Sequence, residues 1–196
     1  MRGTWNRRNV VALAIGTAAA LVAKPILSAA QSSREADGAR LLKGALDLHF
    51  HMDPWTPAAT NGQASIADVR IARARGMRGL VIKDHNEPTA PLAYHLRPEV
   101  PGLELYGGFV LNRANGGINP AGVEFMATRI KGEPGRIVWM PAGDTEKEVR
   151  ESKTPNGPFV AVSKNGDLLP EVKQVISIVA KHGLVLASGH IVPRTR

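Results

Sequence analysis

The chain contains no cysteine, which excludes disulfides, thiolate zinc sites, iron–sulfur clusters and a cysteine nucleophile. Aromatic residues make up only 5% of the sequence, and no dense Lys/Arg run is interleaved with them, so the pattern of a nucleic-acid-binding surface is missing. No apolar run reaches the ~20 residues that a membrane-spanning helix needs. No short-period repeat is visible, and low complexity is confined to the Ala-rich N-terminus. What remains is ordinary globular usage, 43% apolar and 21% charged, which excludes a disordered chain or a collagen. A length of 196 residues corresponds to about one domain.

Acid is also lacking at the N-terminus. The first 30 residues carry Arg2, Arg7, Arg8 and Lys24 and no carboxylate, so about half of the net charge of +8 sits there. Asn6–Val11 is a basic head, Val10–Ala23 an uncharged and mostly apolar run of 14 residues, and Ser28-Ala29-Ala30 a small-x-small cleavage site before Gln31. This is the organisation of an export signal. Arg7-Arg8, followed by Val10 and Val11, resembles a bacterial twin-arginine signal; an uncleaved membrane tether is the alternative. The expected organisation is therefore a signal at 1–30, a polar linker at 31–43 and a functional domain at 44–196. The expected location is periplasmic or secreted, with the twin-arginine export machinery as a partner, and with neither a stable membrane span nor a nucleic-acid partner.

Beyond the linker, strand-like and helix-like segments alternate. Strands are expected at Ala45–His51, Gly79–Asp84, Leu103–Leu111 (broken by Gly107-Gly108), Arg136–Met140 and Leu184–Ser188. Helices are expected from Ile66 to Arg75 with Ser65 as its cap and Gly76 as its stop, at Pro91–Leu96, from Pro120 behind the cap Asn119, and at Pro170–Lys181. Residues 141–158 read as a loop. Phe159–Val162 and the Lys164–Asp167 turn read as a small hairpin or excursion. This order predicts an α/β fold with a parallel sheet and helical crossovers. It suits either a small doubly wound sheet or a partial TIM-like (β/α) barrel, with about five of eight strands present. A complete barrel needs ~250 residues and only 166 follow the signal, which points to the partial barrel. Its two open sheet edges are an association hazard, so a homo-oligomer is expected.

The chemistry sits at strand ends. In Asp47-Leu48-His49-Phe50-His51 the apolar residues Leu46, Leu48 and Phe50 share one face, and Asp47, His49 and His51 share the other. Two imidazoles one pleat repeat apart can converge on one ion; the plainer reading is a pair of histidines exposed at a strand tip. On the second strand Val81, Lys83 and His85 share a face. Lys83 pairs with a carboxylate, positions a substrate anion or carries a metal-bridging carbamate, unless it simply reaches solvent. His85 is a metal or substrate contact. After the last strand, Gly189 permits close approach, and His190 is a third imidazole, a ligand or proton-transfer group, or else a solvated loop residue. Asn112 and Arg113 are candidates for contacting a substrate anion. Asp53 either orients an imidazole or forms a turn. His95, His182, Trp55 and Trp139 read as structural.

Asp47-Leu48-His49-Phe50-His51 resembles the first-strand motif of the amidohydrolase superfamily of metal-dependent hydrolases. Together with Val81-Ile82-Lys83-Asp84-His85, the Asn112–Pro120 stretch, Ile137–Pro141 and Ser188-Gly189-His190, it resembles the DUF6282 branch over roughly 44–192. The resemblance implies a (β/α) barrel with one or two divalent ions, zinc or alternatively manganese, at the C-terminal ends of its strands. His49 and His51 match the first-strand ligands, His190 a later one, and His85 joins them as a candidate. The superfamily's closing aspartate has no counterpart before Arg196, and Lys83 lies on the second strand, where bridging lysines usually lie on the fourth. The implied activity is hydrolysis of a small amide or ester-like molecule by metal-activated water, with Lys83 and His190 as catalytic residues. The alternatives are a phosphoesterase of the histidinol-phosphatase type and a truncated, inactive metal-binding chain.

Overall fold

The computed structural model describes residues 37–52 and 66–192. The export signal, Asp53, Trp55 and the Ser65 cap lie outside these residues. The chain divides into two compact units, Met1–Lys43 and Gly44–Arg196. In the first, residues 37–42 are helical.

The second unit alternates as its hydrophobic pattern requires: β1 (Leu46–His51), α1 (Ile66–Ala74), β2 (Gly79–Lys83), α2 (Ala90–Leu96), β3 (Glu104–Val110), α3 (Pro120–Arg129), β4 (Gly135–Trp139), α4 (Glu146–Glu151), a hairpin of β5 (Ser163–Lys164) and β6 (Asp167–Leu168), α5 (Pro170–Lys181) and β7 (Val185–Ala187). Asn119 caps α3 by accepting the Gly122 N–H on its side-chain oxygen at 2.9 Å. Gly76, past the end of α1, takes a φ of +75°, the left-handed conformation that stops a helix.

Five parallel strands pair in the order β1-β2-β3-β4-β7. Spatial order follows chain order, so every crossover steps the same way. A doubly wound sheet reverses at a switch point, and this one has none. Right-handed crossovers stepping in one direction place the helices on one side and leave the curled sheet, a half-barrel, with a free concave face. Strand alternation then sorts the side chains. Leu80, Ile82 and Leu105 pack outward with Val69, Ala72 and Ala93. Phe109, Leu111 and Val138 pack with Val123, Met126, Val172 and Val175. Val81, Val110, Ile137 and Trp139 form a separate cluster.

Several expectations need correction. The register of β1 on β2 shifts between Asp47 and Phe50: Asp47 faces Leu80 but Phe50 faces Ile82, one extra residue on β1. Such a bulge breaks strict alternation, and Leu46 and Leu48 are exposed, at 37% and 53%, rather than buried under helices. β3 continues through Gly107-Gly108 as one strand, and the expected break there is a shift of register: Gly107 faces Gly135 but Gly108 faces Ile137, one extra residue on β4. These glycines serve close approach: a Cβ on Gly107 would stand 2.4 Å from the Thr89 backbone, and one on Gly108 2.3 Å from the Ile137 carbonyl. The 141–158 segment is not all loop, because it carries α4. That helix has a single buried residue, Val149, so its six residues show no apolar period. The hairpin lies at 163–168, without a strand at Phe159–Val162. Among the described residues no helix is long and apolar enough to cross a membrane.

Gly107→Ala tests the close approach of β3 to the loop before α2. Overpacking against immobile backbone is expected to destabilise by about 1–3 kcal/mol in urea denaturation. An unchanged midpoint would contradict this packing.

Candidate functional site

The C-terminal halves of β1 and β2 and the turn after β7 bring their polar side chains to one place. His49 Nε2 and His51 Nε2 are 3.1 Å apart, and Lys83 Nζ is 3.1 Å from the same His49 nitrogen. His51 stacks on His85, with ring centroids 5.1 Å apart and planes tilted by 23°. His85 meets His190 edge to face at 6.2 Å. Trp139 closes one side, 6.2 Å from the His49 ring and 5.8 Å from Lys83 Nζ.

Each group is set by local backbone structure. Asp47 accepts the His49 N–H at 2.8 Å. Asp84 accepts the N–H groups of Asn86 and Glu87 at 2.6 and 3.2 Å, an Asx-type turn that shapes the chain beyond His85. Asn112 is buried; its amide donates to the His85 carbonyl at 3.1 Å and accepts the Ala142 N–H at 2.8 Å. It therefore braces the β2 and β4 exits against each other. Gly189 sits at φ +62°, and a Cβ there would fall 2.2 Å from the Met140 carbonyl. This close approach, with the His190 N–H donated to the Pro141 carbonyl at 3.0 Å, fixes the start of the His190 loop.

The electrostatics disfavour the charged form of His49, His51 and His85. Burial, then Lys83, lowers His49 and His85 below the ordinary imidazole value. The same causes, joined by His85 and His49, push His51 down to about 4. Burial lowers Lys83 as well, against a raising influence from Asp84. Lys83 is 1% exposed, and among the described residues it has no hydrogen-bonded carboxylate.

This donor set suits a borderline-soft divalent ion. Neutral imidazoles offer lone pairs. His85 Nδ1 is buried without a hydrogen-bond partner among the described residues. His49 Nε2 has one lone pair, or one proton, to share between two nitrogen neighbours, so hydrogen bonding does not satisfy the trio. Among the described residues, however, no three His, Asp or Glu side chains stand as a ready-made ligand set. The fit therefore lies in donor chemistry and crowding, and full coordination requires ring rotation.

The structure thus gathers His49, His51, Lys83, His85 and His190. It does not bring Arg113 into that group. Arg113 is exposed, its N–H is donated to Asp144 at 2.8 Å, and it borders a depression with Phe159 and Val160. His95 packs against Tyr94, and His182 lies 3.1 Å from a Glu124 oxygen. Sequence reasoning missed Glu148, whose Oε1 is 3.0 Å from His190 Nδ1. It also missed a cavity of about 380 Å³ beside His190, lined by Thr145, Lys147, Phe159, Val160, Ile191 and Val192 among others.

Fold and site together define a half-barrel α/β protein with an imidazole–lysine cluster at its strand ends. The chain belongs to DUF6282, a family of unknown function, which it matches over residues 44–195. No curated protein and no solved structure matches it.

The lowered histidines make metal-free stability pH-dependent. Between about 4 and 6.5, the folded and ordinary values for His51, the unfolded chain takes up a proton that the folded one refuses. Stability is therefore expected to fall as pH drops through that window. Denaturation midpoints of chelator-treated protein should show this fall, shallower in His51→Gln. Identical pH profiles for the two proteins would contradict it.

Proposed function

We propose that the chain is an exported metal-dependent hydrolase of the amidohydrolase type, built on a partial TIM-like barrel and acting on a small amide or ester-like molecule. One observation carries the reading: side chains from β1, β2 and the β7 exit, far apart in sequence, converge at the C-terminal ends of a singly wound parallel sheet, where barrel enzymes place their chemistry. His49, His51, His85 and His190 would hold the ion, zinc or alternatively manganese. When bound, it would supply Lewis acidity and lower the pKa of its water towards ~7.

The remaining residues bind, orient and move protons. Lys83 Nζ, buried and lowered, would take the proton that the attacking water loses and hand it to the leaving group, a role its position beside His49 supports. Trp139 keeps bulk water from the lysine. The cavity beside His190 takes the body of the substrate on the apolar walls of Phe159, Val160 and Ile191, and Arg113 attracts an anionic group from outside the cluster. Asn112 acts indirectly, by holding the two loop bases together. The export part of the reading rests on Arg7-Arg8 and the apolar run behind them.

Purified protein should carry stoichiometric zinc or manganese, and the double change His49→Ala with His51→Ala should remove it. Lys83→Met should retain the metal while turnover of an amide and ester panel drops by roughly 10²–10⁴-fold, the usual weight of a general acid. Wild-type protein with metal content near zero would contradict the proposal.

A further inference from the structure

We infer that Glu148 is the positioning carboxylate of His190: it fixes the imidazole with its proton on Nδ1 and leaves Nε2 as the open nitrogen of the ring. The inference starts at the first turn of α4. Thr145 is its N-cap and accepts the Glu148 N–H at 3.2 Å. Threonine at the cap with glutamate three residues on is the capping-box pattern, in which the carboxylate normally returns to the N–H of the cap residue. That return bond is not made. The Thr145 N–H is donated to the Ala142 carbonyl instead, at 3.2 Å. The Glu148 carboxylate is thereby released from capping, and its Oε1 lies 3.0 Å from His190 Nδ1.

The same short loop holds the other half of the pair. Met140 and Pro141 crowd Gly189, and Pro141 accepts the His190 N–H. One segment, 140–145, therefore sets both the imidazole and the helix that carries its carboxylate. An ionised carboxylate only accepts hydrogen bonds, so the facing nitrogen of a neutral imidazole must carry the proton, and the partner of one ring nitrogen sets the state of the other. The two side chains are 44% and 40% exposed. A contact so open to water adds little stability, so the effect of Glu148 lies in orienting the ring. A carboxylate behind a ligating histidine typically contributes 10–100-fold to metal affinity.

The test uses the full chain, metal-free and ¹⁵N-labelled at histidine, at mildly alkaline pH. Ring ¹⁵N shifts should report a proton on Nδ1 of His190. Glu148→Ala should move it to Nε2, and Glu148→Gln, which keeps an acceptor oxygen, should restore Nδ1. A wild-type His190 protonated on Nε2, or a tautomer unchanged in Glu148→Ala, overturns the inference. A second arm, which rests on the proposed function, titrates Zn(II) alone. Glu148→Ala should bind it about 10–100-fold more weakly, and unchanged affinity overturns the positioning role. Wild-type protein that binds no Zn(II) overturns the hydrolase reading, while the ring shifts still decide the Glu148–His190 pair.

Discussion

A lysine held out of water must be discharged, paired or given work, because an isolated buried ammonium is far costlier than the stability of a domain allows. Lys83 is in that position. It ends β2, a strand buried along its whole length, and strand alternation sets it on the opposite face from Leu80 and Ile82 while those two anchor the outer core. Among the described residues its hydrogen-bond partner is a histidine, His49, and not a carboxylate. Burial disfavours the charge on both, and Lys83 further lowers His49, so the cluster presents lone pairs where a polar core would ordinarily present ion pairs. The rest of the site follows from that constraint: neutral rings at His49, His51 and His85, an aromatic wall at Trp139, and a fourth ring brought in by the close contact at Gly189.

The scaffold explains why such a cluster persists. Two apolar layers on the helix side, around Leu80–Leu105 and around Phe109–Val138, stabilise the sheet independently of its concave face. The concave face is then free to carry groups that do not stabilise the fold. Its support comes from backbone geometry: the Asx turn at Asp84, the Asn112 brace, and glycines at 107, 108 and 189 where a side chain would collide. Such local rule-breaking on a stable frame is what functional sites look like.

Much of this was legible in the sequence because it is periodic or capped. The alternation of Leu80, Ile82 and Leu105 with their neighbours, the Asn119-Pro120 start of α3 and the glycine after α1 all follow from local chemistry. Convergence of His49, His51, Lys83, His85 and His190 followed from strand faces and chain order. What stayed hidden was of two kinds. The β1 bulge depends on the neighbouring strand, so Leu46–Phe50 carry no signal of it alone, whereas the glycine pair at 107-108 did mark the register shift of β3 on β4. Helix α4 is too short and too polar for periodicity, and Glu148 looked like one more surface charge. The only available signal was Thr145 standing three residues before it, and that motif forecasts a cap, not a bond to a histidine 42 residues away.

We propose that imidazoles from β1, the β2 exit and the β7 exit share one cation. X-ray absorption at the zinc edge of the zinc-loaded chain tests this most directly. The account predicts a nitrogen shell at ~2.0–2.1 Å, the usual Zn–N distance, with the outer-shell scattering of several imidazole rings. A shell of oxygen alone, without imidazole scattering, would contradict it.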